Sequence, residues 1–291
     1  METLDRATWT ARAAAHAARV EPFVGPHLAR RADGVPHPVH DFLFTYYSQR
    51  PSQLRRWHPG YGVALADAAE YDDAKGYGRL GEATGVTREY VAAQRPLLEA
   101  MHRLLVATAS RPAHTGCFGL HEWAMVYRAD ETRHDRPLRL GREGTDAVVS
   151  SHRIACSHFD AFRFFTDPAR PLNTLQPGRD DRPAYEQPGC LHAGMDLYKH
   201  AFRLSPMIPA ELVADAFELA WEIRILDMRA APYDLTGTTL DPAGEPWTPV
   251  RIETLEGKQE YAAAQRGFAE QAAPIRQRLI TECERLLTTI G

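Results

Sequence analysis

Residues 190–230 read CLHAGMDLYKHAFRLSPMIPAELVADAFELAWEIRILDMRA. Apolar residues recur at helical spacing on both sides of the Pro206–Pro209 break, which predicts helices over 190–204 and 210–230. On the first, Cys190, Gly194, Leu197 and Ala201 share one face. His192, Asp196, Lys199 and Arg203 take the opposite face, with His200 beside them. On the second, Glu211, Asp215, Glu218, Glu222 and Arg229 form one stripe, and Val213, Ala216, Phe217, Ala220 and Ile223 cover much of the rest. That stripe reads as a solvated face. Arg224 and Asp227 project to the apolar side. A charge pair there costs several kcal/mol of desolvation, so the pair is either a structural clamp or part of a site.

Working outward, residues 148–165 carry Val148, Ala155, Phe159 and Phe162 on one side, with Ile154, Ala161 and Phe165 widening the apolar arc. Read as one helix, this would be the most buried of the chain. Its polar stripe is His152, Cys156, Asp160 and Arg163, which either bonds to neighbouring elements or lines a wet cavity. An N-terminal helix is expected over 4–19. Thr87 should cap a helix to about Ser110, broken or kinked at Pro96. His40–Tyr47 is a short aromatic helix or strand, and Leu120–Arg128 a helical or strand segment. The glycines of 59–80 make that stretch irregular, and five prolines make 166–189 a long loop. A short strand could follow at Val250–Glu253, and a last helix covers about 257–289. The expectation is a mainly α chain: a single α-helical domain over 1–291, with core helices across about 87–230, long Pro-rich loops and little strand.

The chain has 291 residues and a formal net charge of −4, which is not the footprint of non-specific nucleic-acid coating. No apolar run approaches the ~20 residues of a membrane helix. The first twenty residues lack a hydrophobic signal core, and the four cysteines form no CxxC pair. A cytoplasmic protein with reduced thiols is expected.

Several blocks resemble an actinobacterial family usually labelled 3-methyladenine DNA glycosylase. They are HPVHDFLFTYYSQRPSQLRRWHPG (37–60), CFGLHEWAMVYR (117–128), SHRIACSHFDAFRFFT (151–166), EQPGCLHAGMDLYKHAFRLSP (186–206) and LDMRAAPYDL (226–235). The resemblance covers nearly the whole chain and implies a DNA-repair N-glycosylase without a cofactor. Its partner would be alkylated DNA or a purine-containing small molecule. Such an enzyme flips the nucleotide, stacks the cationic base on aromatics and stabilises a sugar cation with a carboxylate. Tyr46, Tyr47, Trp57 and Trp123 are the stacking candidates. Asp160, Asp196, Glu122 and Glu186 are the carboxylates, His152 could position water, and Arg163 and His192 could contact substrate. Arg50, Arg55 and Arg56, crowded before Trp57, suit phosphate contact, although the segment also reads as a solvated turn. No helix-hairpin-helix signature is present. Leu80–Val86 (LGEATGV) passes for a helix-turn-helix fragment or for a loop before a capped helix.

Two other function classes remain open. A metal-dependent oxidase or oxygenase with the layout of haem-oxygenase-like di-iron proteins would take iron or manganese on His and carboxylate ligands from facing helices. His121, Glu122, His152, Asp160, His192, Asp196 and His200 supply the types. No Glu-x-x-His pair occurs, and Glu218 and Glu222 fall outside. His192, Asp196 and His200 follow i, i+4, i+8, but His200 turns ~80° from His192 on an ideal wheel. The third class is a non-catalytic protein that binds a small ligand.

Overall fold

The computed structural model describes residues 1–132 and 136–291. Helix accounts for 55% and strand for 8%, so the chain is mainly α as its periodicity implies. Strand β1 (Glu2–Leu4) leads into α1 (Arg6–Ala32), whose cap Asp5 accepts from the Thr8 amide. This helix runs past the expected end at residue 19 and through Pro22 and Pro26. Val20, Val24 and His27 are buried along it, and that packing sustains it across the prolines. Helices α2 (Phe42–Thr45) and α3 (Pro51–Arg55) are single turns.

The stretch expected to be irregular holds β2 (Val63–Leu65), β3 (Tyr77–Leu80) and β4 (Ala83–Val86). With β1 they form one sheet in the order β1-β2-β4-β3, parallel between β1 and β2 and otherwise antiparallel. The LGEATGV string is therefore a β-hairpin and not a helix-turn-helix. Gly81, at φ 71°, supplies the left-handed residue its tight turn requires. Thr87 then caps α4 (Arg88–Ala93), accepting from the Tyr90 amide, and α5 (Arg95–Ala109) restarts with Pro96 in its first turn. The expected break at Pro96 is present.

After α6 (Leu120–Ala124) and α7 (Gly141–Ser151) the chain departs from the sequence reading. No single helix spans 148–165. The backbone turns extended at His152, Ile154 bridges Asn173 in parallel, and helix resumes for one turn as α8 (Phe159–Phe162). The Asn173 side chain accepts from the Cys156 amide at 2.7 Å and donates to the Cys156 carbonyl at 2.9 Å. That bond pair satisfies a buried extended segment, and a buried strand is as continuously apolar as a buried helix. The 166–189 loop contains a 3-10 turn at Arg170–Leu172 and one α-helical turn, α9 (Arg182–Tyr185).

Helices α10 (Leu191–Leu204) and α11 (Ala210–Ala230) follow as expected. A small hairpin, β5 (Thr239–Leu240) with β6 (Glu245–Pro246), precedes α12 (Leu255–Ile290). Val250–Glu253 forms no strand. α10 packs most extensively on α11, and α12 lies against α5, α10 and α11. Gly194 permits the closest approach, since a Cβ there would stand 2.8 Å from Ile223 Cδ1. Fifteen of the 21 residues of α11 are buried, which makes it the central helix. Even its acidic stripe is partly covered, because Arg19 of α1 pairs with Asp215 and Glu218. No helix among the described residues is long and apolar enough to cross a membrane.

Burial holds several histidines neutral. It pushes His40 down to about 2 and His58, His192 and His200 to about 3, against an ordinary value of 6.5. Their folded values lie below the unfolded one, so their contribution is present above pH 6.5 and is lost as pH falls toward 3. The denaturation midpoint should therefore drop steadily between about pH 7 and pH 5, before most carboxylates titrate. A His200→Gln variant should show a shallower pH dependence over that interval in urea titrations at each pH.

Candidate functional site

Two groups of buried polar side chains meet on α10. The first surrounds Asp196. Its carboxylate accepts from Arg182 Nη2 at 2.9 Å, Lys199 Nζ at 3.2 Å and Tyr47 Oη at 3.2 Å, and His158 Nε2 lies at 3.4 Å. Lys199 also donates to Asp160 at 2.8 Å, and Arg182 Nε donates to Glu186 at 2.5 Å. Burial raises the Asp196 carboxyl, but the His158 contact and the Lys199 charge more than reverse this and hold it well below the carboxylate range. Burial likewise opposes ionisation of Asp160, and Lys199 overcomes it. Asp196 and Asp160 are thus held ionised, and all three carboxylates of the cluster are engaged by Arg182 or Lys199. Chemically the cluster is a clamp that ties α8, α9 and the proline-rich loop to α10.

The second group is built on Asp227 of α11. Its Oδ1 accepts from His121 Nε2 at 2.8 Å and its Oδ2 from Arg224 Nη1 at 2.7 Å. Arg224 Nη1 also lies 3.6 Å from Glu122, and its guanidinium stacks on Phe42 at 4.1 Å. α6 reaches this place through Gly119, at φ 70°, where a Cβ would meet Ala230 and Tyr261 at 3.3 Å. Burial pushes His121 down, but the Asp227 charge and hydrogen bond raise it overall. His192 of α10 stands edge-on to His121, ring centres 4.5 Å apart, and tilted 5.4 Å from His158. Ligand atoms of His121, His192 and Asp227 all lie within 4.8 Å of one another. Burial, and then the neighbouring His121, push His192 down to about 3. It is a neutral imidazole, and it makes no hydrogen bond among the described residues.

Two cavities adjoin this group, and His192 lines both. The larger, about 420 Å³, is walled by Cys117, Phe118, His121, Cys156, Cys190 and His192. Burial raises all three of these thiols, Cys156 to about 12, so they are protonated and unreactive. The smaller, about 70 Å³, is lined by Phe42, Tyr46, Glu122, Asp160, His192 and Arg224 among others.

The sequence-expected residues distribute unevenly around these features. Tyr46, Glu122, Asp160 and His192 converge on the small cavity, and Arg163 lies beside it, 3.5 Å from Tyr46 Oη. His152 lines the large cavity, with Nδ1 2.6 Å from the Val148 carbonyl. Asp196, Glu186 and Tyr47 belong to the clamp. Trp57 is buried with its indole donating to Glu211 at 2.7 Å, and Trp123 is buried with its indole donating to the Ala230 carbonyl at 2.8 Å. Neither indole lines the two cavities. Arg50 caps α3, Arg55 pairs with Glu21, and Arg56 bonds the Glu70 carbonyl. The helical stripe of His192, Asp196 and His200 is split between neighbours: His192 faces α6, Asp196 faces the clamp, and His200 is buried away from both cavities. Asp227 was legible only as half of an ion pair on an apolar face, and nothing in the sequence pairs it with His121.

A second trio, His37, His40 and Asp241, also has metal-ligand spacing. Its lone pairs are taken: His37 Nδ1 accepts from the Val39 and His40 amides, His40 Nε2 accepts from the Asp241 amide, and Arg30 holds the Asp241 carboxylate. No family model matches the chain, nor does any curated protein or solved structure.

If the Asp196 cluster is a clamp, Asp196→Asn should cost about 1.5–3 kcal/mol, because it removes the buried charge that Arg182 and Lys199 share, while each cation keeps one other carboxylate, Glu186 or Asp160. Chemical denaturation reads that loss. An unchanged midpoint would mean that the charges are not held as described.

Proposed function

We propose that the chain is a metal-dependent enzyme in which His121, His192 and Asp227 hold a first-row divalent ion, iron or manganese. The substrate is a small, largely apolar molecule in the adjoining cavity. One observation carries the reading: His192, half-buried where it lines both cavities, is held neutral and makes no hydrogen bond among the described residues, beside a histidine and a carboxylate that sit at ligand spacing. A neutral imidazole lone pair is the form that binds a metal. Two histidines and one carboxylate with open positions form the donor set of non-haem iron oxygenases, so oxidase or oxygenase chemistry is the reaction class this set supports. Arg224 on the second Asp227 oxygen and the α6 backbone would act as the outer support that orients the ligands. A cavity of about 420 Å³ is within the usual range for small-molecule sites.

The N-glycosylase implied by the family resemblance is the second reading. What favours it is the convergence of Tyr46, Glu122, Asp160 and His192 on one cavity. At about 70 Å³ that cavity has room for water rather than a purine, and it would have to open to take a flipped base.

Elemental analysis of protein purified without chelator separates the two. The metal reading expects about one iron or manganese per chain, lost in His192→Ala. Because His192 makes no hydrogen bond, that variant should melt within a few degrees of the parent apo protein, a change of about 1 kcal/mol or less. Metal-free protein that releases methylated base from alkylated DNA would overturn the metal reading in favour of the second.

A further inference from the structure

Away from His192, a separate pocket of about 280 Å³ opens where the 48–58 segment meets the turn before β3 and the end of α10. Its lining includes Gln49, Gln53, Arg56, Lys75, Phe202 and Ser205, and no carboxylate. It shares no residue with the two cavities beside His192. Two cations therefore face it without an acidic counterpart. Arg56 uses Nη2 on the Glu70 carbonyl and rests on the Tyr71 ring, while the Glu70 carboxylate is engaged by Arg6. Lys75 makes no ion pair among the described residues.

The decisive residue is Gln49. It is only 6% exposed, yet its buried Oε1 has no hydrogen-bond partner. A buried carbonyl oxygen left unpaired is costly unless something outside the chain completes it. Beside it His58 is neutral, pushed down to about 3 by burial and then by Arg56, with Nδ1 3.0 Å from Tyr77 Oη. Phe202 adds an apolar wall.

We infer that this pocket binds a small phosphate monoester: Arg56 and Lys75 take the phosphate, Gln49 pairs with a donor and an acceptor on the organic part, and that part packs on Phe202. Two positive side chains with neutral amides and hydroxyls form a donor set for a phosphate dianion. The two-sided Gln49 amide suits a base or amide edge that offers both polarities. The same charge could receive a phosphate of a nucleic-acid backbone, and the test separates the two sources.

Isothermal titration of the full chain at low salt should detect inorganic phosphate and, more tightly, adenosine monophosphate. Arg56→Gln and Lys75→Gln should each weaken both ligands about tenfold or more, as loss of a charge-assisted bond implies. Both side chains are exposed, so folding is not at risk. Gln49→Leu should leave the ligand-free melting temperature unchanged or raised and bring adenosine monophosphate down to the affinity of phosphate. Arg55→Gln, outside the pocket and paired with Glu21, should change neither. No binding of either probe at millimolar concentration, or equal weakening by Arg55→Gln, would overturn the assignment. So would a short single-stranded oligonucleotide that binds while adenosine monophosphate does not, since that outcome makes the surface a backbone contact.

Discussion

The pairing of Asp227 with both His121 and Arg224 is the interaction on which the centre of the molecule depends. Asp227 is fully buried on the central helix α11, and an isolated carboxylate could not stay ionised there. Burial drives its pKa up, and His121 and Arg224 drive it further down, so it remains charged. The price is geometric. α6 must come within hydrogen-bonding distance of α11, which requires the left-handed Gly119 and a side chain small enough to pass Ala230 and Tyr261. Once α6 is fixed, Trp123 docks on the Ala230 carbonyl and Glu122 is drawn toward Arg224. The His121 environment is therefore a consequence of solvating Asp227.

The same constraint operates one helix away. Asp196 is as buried as Asp227 and is solved with more partners: Arg182 from α9, Lys199 from its own helix, Tyr47 from the segment after α2 and His158 from the start of α8. These elements are too short to be stable helices by themselves. The charges hold them in place, which explains how a proline-rich loop and two single-turn helices keep a defined course. The two clusters differ in completeness. Around Asp196 the carboxylate is answered from several sides, whereas beside Asp227 one ring, His192, has only edge and tilted contacts with other imidazoles.

How much of this the sequence carried depends on whether the cause was local. The spacing of α10 and α11, the Thr87 cap and the interruption at Pro96 are local, and all three are present. The 148–165 segment misled because its apolar run has two physical solutions. The choice between them was made by the Asn173 amide, which satisfies the extended backbone from a distant loop. The glycines of 59–80 signalled irregularity, but Gly78 lies within β3 paired to Gly85, and Gly76 turns into that strand where a Cβ would meet the Tyr90 ring. Among site residues, the chemistry types were legible and the partners were not. His192 and Asp196 share a helix face in sequence, yet α6 and α9 divide them. Arg224 and Asp227 stood out as charges on an apolar face, and that anomaly was the best available pointer to the centre.

His192 connects the competing functional readings, because it borders both the larger apolar cavity and the small polar one. A catalytic base near neutral pH needs an imidazole that accepts and releases protons there, and burial beside His121 has moved His192 far below that range. A ligand to a metal needs the opposite: a lone pair kept free of protons at all working pH values. Asp227, through its charge and hydrogen bond, and then Glu122 raise His121, so a divalent ion at the trio would compete with the proton that Asp227 favours there. The arrangement is thus poorly suited to proton transfer through His192 and well suited to a cation that the two histidines and the carboxylate share.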